Sequence, residues 1–212
     1  MLQTYFRDRV DAGEKLARLL ENYKRQDAVV YALPRGGVVI GVEVAKKLKL
    51  PLDLIITRKI GHPNQPEYAI GAVAENGHAV LNKDEVSNVD EEYLKDEIER
   101  QRQEAIRRRT LYLGKRNSLS CKGKTAIVVD DGIATGFTMR AAIQELKLHY
   151  KPEKIIVAVP VIPKNKVYKL EAQGCEIIAI ITTSDFLGSI GAYYENFNPV
   201  EDKAVIKIIN SL

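Results

Sequence analysis

Short uncharged runs rich in β-branched residues, separated by stretches of helical spacing, place the strongest limit on how this chain can fold. They occupy residues 28–33, 54–57, 126–129, 155–161 and 177–183. A strand covered on both faces reads as a continuous apolar run, whereas a half-exposed strand alternates. Helical periodicity follows the first, third and fourth runs, at 39–48, 138–150 and 165–173. This alternation predicts an α/β fold built on a doubly wound, mostly parallel sheet. An amphipathic helix within 8–23, with Val10, Leu16, Leu19, Leu20 and Tyr23 as its apolar positions, is expected to open the chain and pack on that sheet.

Between the second and third runs the alternation stops. Residues 60–82 read as a loop followed by a hairpin turning at Asn76 and Gly77, and a charged helix over 91–113 follows, capped by Asp90. Acids fill the first half of that helix and Arg107, Arg108 and Arg109 its end, as the helix dipole favours. Asp96 with Arg100 and Glu104 with Arg108 sit four residues apart, which suits a solvated helix laced by ion pairs better than a nucleic-acid surface. The length of 212 residues, with 45% hydrophobic and 28% charged residues, suits one domain carrying an insertion at 60–115 and closing over 184–212 with a small hood and a C-terminal helix. A net charge of +4 fits an anionic small-molecule substrate and is too weak to argue for nucleic acid. Apolar runs fall short of the roughly 20 residues that span a bilayer and no signal pattern opens the chain, so a cytoplasmic protein without a membrane partner is expected. Cys121 and Cys175 lie far apart without metal-ligand spacing and are expected to be reduced structural thiols.

Chemistry concentrates in residues 128–138, VVDDGIATGFT, where a buried strand ends in two acids and passes through a glycine-containing turn into a helix. Such a turn aims several backbone N–H groups and the positive helix end at one anion, with Thr135 and Thr138 as further donors and Gly136 permitting close approach. Asp130 and Asp131 at the strand end can accept hydrogen bonds from a ribose diol one sugar-length away. A helix capped by its own threonine after a strand-end acid pair would read similarly. Residues 33–37, LPRGG, follow the first strand in the same strand-to-helix context, so Arg35 with the N–H groups of Gly36 and Gly37 can hold a second anion, or form a tight turn with a surface arginine.

The eleven-residue segment resembles the type I phosphoribosyltransferase signature of hydrophobic strand, two acids and Thr-Gly-x-Thr turn. The likeness extends over 28–183, and the charged helix and chain end look like a little-characterised branch of predicted phosphoribosyltransferases. The resemblance implies Mg2+-dependent transfer of a 5-phosphoribosyl group from 5-phosphoribosyl 1-diphosphate to a nucleobase-like nitrogen heterocycle. Asp130 and Asp131 would hold the ribose hydroxyls and metal. Ala134, Thr135, Gly136, Phe137 and Thr138 would hold the 5-phosphate, and Arg35, Gly36 and Gly37 the diphosphate. It also implies a cis bond between Pro34 and Arg35 when ligand is bound, with a trans form allowed without it.

The loop from Gly61 to Gln65 matches the family's mobile loop, so Arg58 or Lys59 would touch the leaving group, with Glu67 as a loop base for the acceptor. The resemblance puts Lys164, after the fourth strand, near where 6-oxopurine enzymes place a lysine that reads a purine oxygen, although a surface lysine beside Pro163 is the stronger reading of the residues alone. Phe186, Leu187 and Tyr193 suit either a hood over a flat base or core packing, with Glu195 near its magnesium. Ala134 replaces an aspartate usual in 6-oxopurine enzymes, which weighs against hypoxanthine and guanine. A non-catalytic regulator that senses the donor or a nucleotide uses the same fold, so both readings stand; the sequence leaves the oligomeric state open, a homodimer included.

Overall fold

The computed structural model describes residues 5–211. In chain order the first half comprises α1 (Arg9–Leu19), β1 (Ala28–Ala32), α2 (Gly36–Leu48), β2 (Leu52–Leu54), β3 (Thr57–His62), β4 (Gln65–Ala74), β5 (Ala79–Leu81), α3 (Lys83–Val86) and α4 (Glu91–Leu113). The second half comprises β6 (Thr125–Val129), α5 (Phe137–Glu145), β7 (Lys154–Pro163), α6 (Lys164–Glu171), β8 (Glu176–Thr183) and α7 (Asp202–Asn210). Five strands form a parallel sheet in the order β2-β1-β6-β7-β8, the expected α/β architecture.

Successive residues of a strand face opposite sides, and the two sides here carry separate cores. Val30, Ile127, Val129, Ile156 and Ala158 face α1 and α2, packing on Leu16, Ile40 and Val44. Val29, Tyr31, Ala126, Val128 and Val157 face α5 and α6, packing on Met139, Ile143 and Leu170. Each fully buried valine or isoleucine side chain contributes roughly 1.5–3 kcal/mol, so β1, β6 and β7 form the rigid centre. Cys121 and Cys175 are buried free thiols in the second core.

Several expected details shift. Val10 and Leu19 are 43% and 50% exposed, because α1 meets α2 through the small residues Ala12, Gly13 and Ala17 together with Leu16 and Leu20. The run at 54–57 does not form one strand. Its first residue ends β2, Ile55 and Ile56 are buried in the connection, and Thr57 begins β3. Residues 60–82 are not a loop followed by a hairpin but parts of a three-stranded antiparallel sheet, β3-β4-β5, with two hairpins. The second turns where expected, Gly77 adopting φ +91° and donating to Ala74. This sheet folds because Ile60, Ile70 and Val73 make a small core with Val89 and with Tyr93, Leu94 and Ile98 of α4.

The α4 bounds and its cap are as expected, the Asp90 carboxylate accepting from the Tyr93 N–H at 2.8 Å. Glu104 takes Arg107 as well as Arg108, and the hydrogen bond from Arg107 leads in holding its carboxyl down to about 2. Arg100 pairs with Glu97, three residues away, instead of Asp96. Arg109 is not solvated: it donates to the Leu54 carbonyl and to Glu75, both at 3.0 Å, and lies 3.5 Å from Asp53. The helical stretch expected over 138–150 divides into α5 and a π-helical turn, Leu146–Tyr150. The final helix, α7, packs against α4 and α2 around Val205 and Ile209. Among the described residues no helix is long and apolar enough to cross a membrane.

Glu75 is buried beside Arg109, and its Oε2 has no hydrogen-bond partner among the described residues. Burial pushes its carboxyl from 4.5 up to about 7, with Arg109 opposing the rise. Between these values the unfolded chain has released a proton that the fold retains, so this group's contribution makes stability fall as pH rises, and the loss is complete above about 7. Glu75→Gln keeps the shape and removes the charge. It should raise the melting temperature by several degrees at pH 8 and barely change it at pH 4.5; equal shifts at both pH values in thermal melts would refute this assignment.

Candidate functional site

β1 and β6 are hydrogen-bonded neighbours whose onward connections run to opposite sides of the sheet. A crevice therefore opens at their carboxyl ends, where ligands of doubly wound sheets bind. The loop after β1 and the acidic turn after β6 meet there. A Cβ on Gly36 would lie 1.9 Å from Oδ2 of Asp131, and one on Gly37 would lie 2.9 Å from both the Asp130 Cα and the Val129 carbonyl oxygen. The two motifs read separately in the sequence are thus in contact, with glycines at the points of closest approach. The Leu33 N–H extends the ladder to the Val129 carbonyl at 3.0 Å, and the Pro34–Arg35 peptide bond is cis.

The two aspartates differ in their partners. Asp130 Oδ1 accepts the Asp131 N–H at 2.9 Å, and no cationic side chain pairs with Asp130 among the described residues. Asp131 Oδ2 accepts Arg9 Nε at 2.8 Å, while its carbonyl accepts the Tyr194 hydroxyl at 2.7 Å. Arg9 is itself fixed, donating to the Asn198 carbonyl and lying 3.8 Å over the Phe197 ring. Burial and the charge of Asp131 push the Asp130 carboxyl well up; burial also raises Asp131, with Arg9 opposing.

Past the aspartates, the Ile133 N–H is anchored to the Val161 carbonyl at 2.9 Å, and Gly136 takes φ +82° at the N-cap of α5. The Arg140 N–H reaches the Gly136 carbonyl at 3.0 Å, so the N–H groups of Phe137, Thr138 and Met139 have no acceptor within the helix. Free N–H groups at the start of a helix, with hydroxyl side chains such as Thr135 and Thr138 beside them, are chemically suited to an anion. A cavity of about 430 Å³ adjoins Thr135, Gly136 and Phe137, and Arg140, Lys166 and Lys169 surround it with positive charge.

The remaining expected residues are less closely gathered. Arg35 is half-exposed, with its guanidinium 3.6 Å from Asp202 at the start of α7. Arg58 and Lys59 are adjacent on β3 and so face opposite ways. Arg58 Nε donates to Gln101 at 3.0 Å, and burial together with the nearby Arg108 lowers its pKa. Lys59 instead holds Glu67, donating to its carboxylate and its carbonyl, both at 2.9 Å. Lys164 and Phe186 line one cavity of about 350 Å³ with Asn165, Tyr168 and Thr183. Tyr193 belongs to the core, stacking on Phe186 at 5.7 Å and accepting the Leu187 N–H through its hydroxyl. Glu195 is exposed, its N–H bonded to the Phe6 carbonyl, and its side chain makes no ion pair with another described residue.

A family model described as "Phosphoribosyl transferase domain" matches residues 8–194. A relative from Mycobacterium tuberculosis (strain ATCC 25618 / H37Rv), named "Putative phosphoribosyl transferase Rv0571c", is 38% identical over 208 residues. That alignment takes in 97% of this chain and 46% of the relative, so the chain spans about half the length of the curated relative. Among solved structures, TT1426 from Thermus thermophilus superposes with a TM-score of 0.80 at 40% identity, covering 97% of this chain and 98% of that one. The AQ2163 protein from Aquifex aeolicus, at 12% identity and a TM-score of 0.51 over 82% of this chain and 74% of that one, shares the fold alone. The chain belongs to the phosphoribosyl transferase domain family, as its two motifs led us to expect.

Arg9, Tyr194 and Asp202 were not singled out from the sequence. None sits in a local pattern, and each reaches the site from an element distant in the chain. The glycines give a sharp test. Gly36→Ala meets two side-chain ends, the Asp131 carboxylate and Arg9 Nε, and should part Asp131 from Arg9 with the fold retained, whereas Gly37→Ala meets backbone and should cost about 1–3 kcal/mol of stability. Thermal melts, with a carboxyl NMR titration of Asp131, separate the two outcomes.

Proposed function

We propose that this chain transfers a 5-phosphoribosyl group from 5-phosphoribosyl 1-diphosphate to a nitrogen heterocycle with release of diphosphate, in the presence of Mg2+. One observation carries the reading: the glycine loop after β1 lies against Asp130 and Asp131, and the open N-terminal turn of α5 lies immediately beyond them. Two turns suited to anions thus flank an acidic pair, an arrangement that supports a sugar with a phosphate on one side and a diphosphate on the other.

In this reading Ala134, Thr135, Gly136, Phe137 and Thr138 hold the 5-phosphate, while Arg35 and the N–H groups of Gly36 and Gly37 hold the diphosphate. Asp130 and Asp131 orient the ribose hydroxyls, and Asp202 positions Arg35. A carboxylate with no cationic partner among the described residues, faced by the glycines Gly36 and Gly37, suits a hard cation, so the oxygens present fit Mg2+. When bound, Mg2+ neutralises charge on the departing diphosphate. Asp130 and Asp131 are the residues for it, with Glu195 kept as a further candidate. Fixed dipoles and charges favour the oxocarbenium character developing at C1 and need no covalent intermediate. Arg58 approaches the diphosphate from β3, and release of Lys59 from Glu67 lets the hairpin carry it inward. Lys164 and Phe186 offer a cation and an aromatic face to the acceptor.

Asp130→Asn and Asp131→Asn should each weaken Mg2+-dependent donor binding at least tenfold in calorimetry, with unchanged circular dichroism. Unchanged affinity in both removes the ribose assignment. Isotope exchange between diphosphate and donor, and product formation across a panel of bases, test catalysis. Saturable binding without turnover on any base would instead make the chain a sensor of the donor.

A further inference from the structure

We propose that His78, Glu145 and His149 form a second metal site, selective for Zn2+ or a similar transition-metal ion and separate from the acidic pair. His78 follows the β4–β5 turn, Glu145 is the last residue of α5, and His149 lies in the π-helical turn. One ligand atom from each lies within 4.8 Å of the others, and the two imidazole rings are 4.8 Å apart at 42°. Single π-turns of this kind recur at functional sites, and this one carries His149 to the carboxylate.

Glu145 gives the site its chemical reason. Its side chain is 0% exposed, and no Lys or Arg among the described residues pairs with it. Burial of such a carboxylate costs several kcal/mol unless positive charge lies beside it. Here Oε1 accepts the Asn76 amide and Oε2 faces His78 Nδ1 at 3.0 Å. His78 supplies a charge only when protonated, whereas a divalent ion between the imidazoles and the carboxylate supplies it with both rings neutral.

Bonds of about 2.0–2.2 Å around tetrahedral zinc place neighbouring ligand atoms roughly 3.3–3.5 Å apart. The His78–Glu145 contact is already near that value, and the exposed His149 has only to swing inward. Two imidazoles and one carboxylate favour Zn2+, Co2+ or Ni2+ over Mg2+. Asn76 would fix the carboxylate orientation from outside the ligand set, and a water would complete the coordination. The ion would pin the β4–β5 turn to one end of the helix whose other end is suited to an anion.

Protein stripped with EDTA and titrated with Zn2+ by calorimetry should bind one equivalent at this site with micromolar or tighter affinity, and its melting temperature should rise by several degrees. His149→Ala, at an exposed position, and His78→Ala should each weaken that binding at least thirtyfold. Excess Mg2+ should not compete, and X-ray absorption should show two imidazole ligands. The Asp130→Asn, Asp131→Asn double variant should retain the site. Absence of saturable binding below 100 µM zinc, binding insensitive to both histidine variants, or binding lost in the aspartate variant would each overturn the proposal.

Discussion

The lateral pairing of β1 with β6 is the constraint on which the candidate site depends. Their register, from Ala28 opposite Thr125 to Ala32 opposite Val129, brings both strands to their carboxyl ends at the same level. The chain then leaves β1 through Arg35, Gly36 and Gly37 and leaves β6 through Asp130 and Asp131, with nowhere for the two turns to go except against each other. Any side chain at Gly36 or Gly37 would enter the space of the aspartates. The buried valines and isoleucines of the sheet thus do more than stabilise it, because they hold two turns nearly a hundred residues apart in sequence in fixed register.

A second constraint attaches the antiparallel sheet to this frame. Asp53 on β2 is almost wholly buried, taking the Leu54 N–H at 2.8 Å and the Leu119 N–H at 2.7 Å through its two oxygens. Arg109 of α4 reaches the same carboxylate, the Leu54 carbonyl and Glu75 after β4. One guanidinium therefore ties the edge of the parallel sheet, the long helix and the end of β4 together. Buried ion pairs are poor sources of net stability, but removing one partner strands the other, so Arg109 fixes relative position more than it adds stability.

Legibility from sequence follows the range of the interactions involved. The parallel strands and the long helix were readable because burial on two faces, and a cap followed by periodic charges, are written in consecutive residues. Both halves of the crevice were readable for the same reason. Residues 57–62 were obscured as a strand because TRKIGH carries one large apolar residue, Ile60, whose partners Ile70 and Val89 lie on other elements. Val10 and Leu19 misled because spacing records which residues are apolar, whereas the helix contact used the small ones. Arg9 was out of reach altogether, since its partner Asp131 is 122 residues away and an arginine near a helix start looks like any solvated charge.

The charge balance at the crevice explains why a cation belongs in the proposed reaction. Asp130 and Asp131 bring two carboxylates to a point where Arg9 supplies one paired guanidinium, already committed to Asp131, the Asn198 carbonyl and the Phe197 ring. The facing loop contributes glycines, so its own approach adds N–H groups but no full charge beside Asp130. An anionic donor entering alone would add repulsion to a pair that burial has already destabilised as carboxylates. In the proposed reaction a metal held by Asp130 and Asp131 would reverse the sign of that interaction, so that the uncompensated carboxylate would serve binding instead of opposing it. The same rule, a buried carboxylate awaiting a cation, applies at Glu145, where imidazoles replace the hard oxygens of the crevice and select a softer ion.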